Sequence, residues 1–195
     1  MDSPELQQAR SRAAEFGIPA ISPATGATLR TLAATLQAKT VVEVGTGAGV
    51  AALYLLAGMA PQGVLTTIDV EAEHQRQAKA SFKASGIAPG RTRTILGRPG
   101  EVLPRLADSA YDLVLVAEWP EQLAEHVEQG LRLLRPGGVL AITNALWHDQ
   151  VPDPARRDEP VTALRRIFAR IREDESLAPV LLPVGSGLLV ASKLR

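Results

Sequence analysis

The stretch EVGTGAGV, Glu43 to Val50, constrains this chain more than any other. A β-branched run, TVVEV from Thr40, leads into it and an apolar segment follows it. It therefore reads as a strand turning sharply into a helix. Glycines at 45, 47 and 49 permit the tight turn and let a ligand approach bare backbone. The spacing is G-x-G-x-G, and Val50 stands where a G-x-G-x-x-G fingerprint needs its last glycine. That mismatch counts against a nicotinamide-dependent oxidoreductase. A tight turn with no ligand is the alternative use of such a loop.

Short apolar runs then alternate with helical segments. GVLTTIDV (63–70), TRTILG (92–97), YDLVLVA (111–117) and GGVLAITN (137–144) read as strands. Near-continuous apolar strands separated by helices imply a parallel sheet covered on both faces, an α/β fold. Ahead of them, Ser3 caps a first helix with Pro4 at its first position, and a second helix is expected from about Ala24 to Gln37. At the far end APVLLPV (178–184) and GLLVASKL (187–194) are separated only by Gly185 and Ser186. So short a link permits an antiparallel hairpin and excludes a helical crossover. The expected organisation is one domain over 1–195, with helices over 1–38 and a core over 39–195.

Several function classes are disfavoured. The chain holds 21 basic and 21 acidic residues, so charge gives no reason to expect nucleic acid or an anionic membrane as partner. It has no cysteine, which removes disulfides, thiolate nucleophiles and cysteine zinc sites. His74, His126 and His148 show no metal-ligand spacing. The longest apolar stretch, Gly49 to Ala60, falls short of the roughly 20 residues a membrane span needs. MDSPELQQARSRAAEF lacks the apolar centre of a signal peptide, so a cytoplasmic location is expected.

Two acids flank the glycine loop. Asp69 ends the second strand, where a carboxylate can accept from both hydroxyls of a ribose, or simply cap the next helix. Glu43 lies inside an apolar strand and needs a partner, either a cationic ligand group or backbone N–H groups.

VVEVGTGAGVAALYLL, GVLTTID, YDLVLV, LRLLRPGGVLAITNALW and LLPVGSGLLVASK, taken together, resemble the S-adenosylmethionine-dependent O-methyltransferases of the catechol and caffeoyl-CoA type. The similarity covers about residues 20–195. It implies a Rossmann-like class I methyltransferase fold, with seven strands, mostly parallel, and an antiparallel C-terminal strand. It implies S-adenosyl-L-methionine as cofactor, with Glu43, Gly45, Thr46 and Gly47 around the methionine part and Asp69 and Val70 at the ribose. Arg98, Pro99 and Gly100 would lie beside the adenine. Trp119 would face the adenine ring, or else lid the core, and Ala24 and Thr25 would border the cofactor. Members of the family commonly pair, so a homodimer is expected.

The resemblance fails where the family places its divalent cation and base. Its first aspartate falls on Ala117, its lysine on Pro120 and its Asp-Asn pair on Thr143–Asn144. Asn144 is the only retained ligand position, and no divalent metal is expected. Glu118 and His148 are the candidate catalytic residues, each with a plainer reading. Glu118 suits a helix start; His148, with Asp149, suits a solvated loop. The segment 148–160 is either a flap or a surface connection. Arg156 and Arg157 either attract an acidic substrate or belong to a solvated loop. That loop precedes an amphipathic helix with Leu164, Ile167, Phe168 and Ile171 inward.

The expected function is methyl transfer to a small hydroxylated acceptor of phenol or catechol type, without the usual metal and lysine. The alternative is a catalytically silent S-adenosylmethionine-binding protein that acts as a sensor or assembly partner.

Overall fold

Val41, Val42 and Val44 are fully buried, and so is the glutamate between them, because β1 (Thr40–Val44) runs through the middle of a sheet covered on both faces. The computed structural model describes residues 2–117 and 122–195. Among them seven strands form one sheet: β1, β2 (Val64–Asp69), β3 (Thr92–Leu96), β4 (Tyr111–Val116), β5 (Leu134–Thr143), β6 (Leu177–Leu182) and β7 (Leu188–Lys193). Their spatial order is β3-β2-β1-β4-β5-β7-β6. The first five run parallel, and β7 pairs antiparallel with both β5 and β6. This is the Rossmann-like class I methyltransferase architecture, with the antiparallel C-terminal strand anticipated above.

The helices are α1 (Pro4–Glu15), α2 (Pro23–Thr35), α3 (Val50–Gly58), α4 (Ala72–Ala84), α5 (Pro99–Val102), α6 (Leu123–Leu133) and α7 (Glu159–Glu173). Ser3 and Ser22 cap the first two by accepting the Leu6 and Thr25 N–H groups, each with proline at the first helical position. Alternate strand residues divide the core. Val41, Leu65, Leu113 and Leu115 pack with α2, α3 and α4. Val42, Val44, Val114 and Val116 pack with α6 and α7. On α7, Leu164, Ile167 and Ile171 are buried, and the half-buried Phe168 packs beside them.

Two expectations need correction. The final hairpin is joined by residues 183–187 and not by Gly185 and Ser186 alone; its last ladder pair is Leu182 with Leu188. Pro183 has no N–H to extend the ladder, and the Gly187 N–H turns back to the Val184 carbonyl. β5 also begins earlier than expected, at Leu134, with a register irregularity opposite Tyr111 and Leu113. The segment 148–160 is tied down: Arg165 of α7 donates to the carbonyls of Val151, Asp153 and Arg156. Those bonds favour a surface connection over a flap. Arg156 is engaged by Asp158 and Gln150.

At the amino ends of the strands Asp112 accepts the Lys39 and Thr40 N–H groups and pairs with Arg135. This stitch joins β1, β4 and β5 at the edge opposite the glycine loop, leaving the carboxyl ends open for chemistry.

Candidate functional site

The loop after β1 is bent by three glycines in the left-handed region, with φ of 92° at Gly45, 51° at Gly47 and 83° at Gly49. Gly45 is doubly constrained, since a Cβ there would stand 2.4 Å from the Ala117 carbonyl oxygen. The loop therefore lies flush against the end of β4, where the Ala117 N–H donates to the Val44 carbonyl.

Glu43 is completely buried just before this bend. Its Oε2 accepts the Thr67 hydroxyl at 2.6 Å, and Thr67 in turn lies 2.7 Å from the Thr46 hydroxyl. Its Oε1 has no hydrogen-bond partner among the described residues. The partner is thus a side-chain hydroxyl, and the backbone N–H alternative is not realised. Burial pushes the carboxyl up to about 8 despite the Thr67 bond, and the charge of Asp69 adds to the rise. Glu43 therefore holds its proton more tightly than a carboxyl in water, and a cation brought to its free Oε1 would favour the charged form.

Asp69 closes the corner. Its Oδ2 accepts the Gly47 N–H at 3.0 Å and its Oδ1 the Glu71 N–H at 2.9 Å. His74 Nδ1, from the first turn of α4, lies 3.2 Å from Oδ1 and 3.1 Å from Oδ2. Asp69 therefore fixes the loop and the entry to α4 as well as facing the rim. Val70 follows as an exposed apolar residue, as does Leu96 at the end of the neighbouring strand. The Gly97 N–H donates to the Asp69 carbonyl, which sets Arg98 beside this edge. Arg98 is exposed, Pro99 buried, and Gly100 approaches the Glu125 carboxylate.

The structure thus brings Glu43, Gly45, Thr46, Gly47, Asp69, Val70 and the Arg98–Gly100 segment to one edge. Glu118, Trp119 and Pro120 lie outside the described residues. His148 is exposed and lies in the loop after β5, the strand two positions from β1 in the sheet. It belongs to a run of left-handed residues, Trp147, His148 and Asp149, with φ of 48°, 54° and 61°. Such backbone is costly for non-glycine residues and is held only where surroundings impose it. Here the Leu146 N–H is anchored on the Ser186 carbonyl, and the Gln150 and Val151 N–H groups return to Trp147 and Leu146.

Asn144 is exposed and also left-handed, at φ 54°, whereas Thr143 is buried in β5. Beside them opens a cavity of about 230 Å³ lined by Arg10, Ser22, Thr25, Thr143, Asn144 and Ser186 among others. Among the described residues no three histidine, aspartate or glutamate side chains gather to hold a metal ion. The Ala117 side chain offers no donor atom, and those of Thr143 and Asn144 offer only neutral oxygens, a poor match for a hard divalent cation.

His74 is the member of this corner that sequence reasoning missed. Its spacing, five residues after Asp69, is visible in the sequence, but the contact depends on how the turn between them is folded.

Comparison with known proteins places the whole chain in a family with this fold. Residues 3–194 match the O-methyltransferase family. A protein of Mycobacterium sp. (strain JLS) that carries an O-methyltransferase name is 53% identical over 185 residues, covering 95% of this chain and 84% of its own. The crystal structure of a Corynebacterium glutamicum protein superposes with a TM-score of 0.93 at 40% identity, covering 100% of this chain and 91% of the other. TomG from Streptomyces achromogenes, an O-methyltransferase of tomaymycin synthesis solved with S-adenosylmethionine, superposes at 0.90 with 27% identity, covering 100% and 92%. With this match along nearly its whole length, the chain belongs to the O-methyltransferase family.

Proposed function

We propose that this protein is an S-adenosylmethionine-dependent O-methyltransferase acting on a small hydroxylated acceptor of phenol or catechol type. The observation that carries the reading is the Gly47 N–H bonded to the Asp69 carboxylate, which joins the glycine loop and the strand-end acid into one corner. The residues present fit the cofactor. The buried, unpartnered Oε1 of Glu43 suits a cationic aminoacyl group, and Asp69 suits a ribose diol. Val70 and Leu96 offer apolar surface for a flat base. TomG, solved with this cofactor, supports the same assignment.

When bound, the cofactor would supply an electrophilic methyl group for transfer to the acceptor oxygen, with the thioether as leaving group. The chain's part is to bring the acceptor oxygen into line and to keep the reactants together. Ser22, Thr25, Thr143 and Asn144 line the polar cavity suited to a hydroxylated acceptor. The hydroxyl proton must leave, and we assign its removal to His148, with Glu118 as the alternative base. No step is routed through a metal ion.

Ala117 and Thr143, where the family has carboxylates, favour a second reading, a cofactor-binding protein without turnover that acts as a sensor or assembly partner. The same inference extends to a cytoplasmic homodimer, which light scattering of the purified chain tests. Calorimetry with S-adenosylhomocysteine tests both readings; absence of binding removes both. Turnover on a phenol and catechol panel, with Mg²⁺ and with EDTA, separates them.

A further inference from the structure

Both carboxylate oxygens of Asp69 are engaged within the fold. A carboxylate offers about four lone-pair positions. The Gly47 N–H takes one on Oδ2 and the Glu71 N–H takes one on Oδ1, and both donors are backbone groups built into the fold. One position then remains on each oxygen. His74 Nδ1, nearly equidistant from the two oxygens at 3.2 and 3.1 Å, meets both. A single nitrogen so placed is within hydrogen-bond reach of both oxygens at once, near the plane that bisects them. A vicinal diol bonding Asp69 through both hydroxyls needs the same two positions.

We propose that His74 holds the place of the ribose diol on Asp69 and must be displaced for a nucleoside to bind. The inference rests on the nucleoside reading of this corner given above. The side chain is suited to leave: it sits in the first turn of α4 and is 29% exposed, against 7% for Asp69. Its departure leaves the two backbone bonds intact, so the loop stays fastened while the diol takes the front of the carboxylate. His74 is thus a specificity-determining residue, because it subtracts from the affinity of ligands carrying the diol and leaves others untouched.

The test is calorimetric titration of the full chain with S-adenosylhomocysteine and with its 2′,3′-dideoxy analogue, in the wild type, His74→Ala and His74→Gln. Removing a half-exposed, charge-assisted competitor should tighten S-adenosylhomocysteine binding by roughly threefold to tenfold in His74→Ala. His74→Gln, which keeps one donor, should fall between, and the dideoxy analogue should bind all three alike. In ¹⁵N-histidine spectra the His74 Nδ1 resonance should move on adding S-adenosylhomocysteine and stay put with the dideoxy analogue. Unchanged or weaker binding by His74→Ala overturns the proposal alone, as does an equal gain for both ligands. Failure of every form to bind S-adenosylhomocysteine overturns the nucleoside reading and this proposal with it.

Discussion

The Gly47 N–H donates to Asp69 Oδ2 at 3.0 Å, across the gap between the loop after β1 and the end of β2. A loop of left-handed glycines has little to hold its shape, since each glycine brings large backbone freedom to the unfolded chain. This bond joins the Gly45 N–H to Ile68 carbonyl bond and the Thr46–Thr67 hydroxyl pair in fastening the loop to β2. Asp69→Ala should weaken S-adenosylhomocysteine binding about tenfold to a hundredfold, the worth of one or two charge-assisted bonds. Stability should fall by only about 1 kcal/mol, because Gly47 is half-exposed and water can replace the carboxylate. Calorimetry and urea denaturation measure the two effects.

Gly45 and Gly47 should differ sharply on substitution. Gly45→Ala places a methyl 2.4 Å from the Ala117 carbonyl oxygen on a backbone at φ 92°, and should yield unfolded or insoluble protein. Gly47→Ala meets nothing nearer than the Ile18 side chain at 3.4 Å and should cost only the left-handed penalty, about 1–2 kcal/mol. Thermal denaturation and soluble yield distinguish them.

Glu43 makes stability fall with rising pH. Below its ordinary value of 4.5 the folded and unfolded chains both hold the proton. Between 4.5 and about 8 the unfolded chain releases it while the folded chain keeps it, so the folded state loses ground as pH rises; above that range the slope vanishes. Glu43→Gln removes the proton exchange. It should gain on the wild type by an amount on the order of a few kcal/mol between pH 5 and pH 8. Urea titrations across that range check the slope.

Turnover should not need a divalent cation. Ala117 and Thr143 stand where carboxylates would be required, so EDTA should leave the rate on any accepted phenol within about twofold. Strong activation by Mg²⁺ would show that other residues assemble a metal site.

His148→Ala should lower kcat by roughly a hundredfold, in the range of a lost general base, while S-adenosylhomocysteine affinity stays unchanged. The separation of His148 from the glycine loop by two strand positions is the reason for expecting the two effects to part.

Much of the fold was readable because burial on both faces leaves a plain mark: Val41, Val42 and Val44 have no exposed alternate to break the run. The reversal at β7 was readable for a topological reason, since a link as short as residues 183–187 cannot cross a sheet. Its length was less so, because Val184 is as β-prone as its neighbours and only Pro183 signals that the ladder has stopped. At the site, Glu43 announced itself as a carboxylate in an apolar strand. Its hydroxyl partner did not, because Thr67 is 24 residues away and reaches it only through the β1–β2 register. His74 was hidden for a similar reason: the turn from β2 into α4 follows no period, so nothing in the sequence shows which side chain swings back onto Asp69.

The strand order has a consequence for synthesis. β7 is made after every other strand yet fills an inner slot, between β5 and β6. Until residues 188–193 leave the ribosome, β5 from Val139 to Thr143 has one bare edge, and the turn at 185–187 that supports Ala145 and Leu146 does not exist. The rim at Thr143 and Asn144 therefore waits for β7, whereas the corner of Glu43 and Asp69 draws on β1, β2 and β4, all made earlier. Each chain thus passes through an interval in which the corner of Glu43 and Asp69 can form while β5 is still an open strand edge, the state most exposed to mispairing with a neighbour.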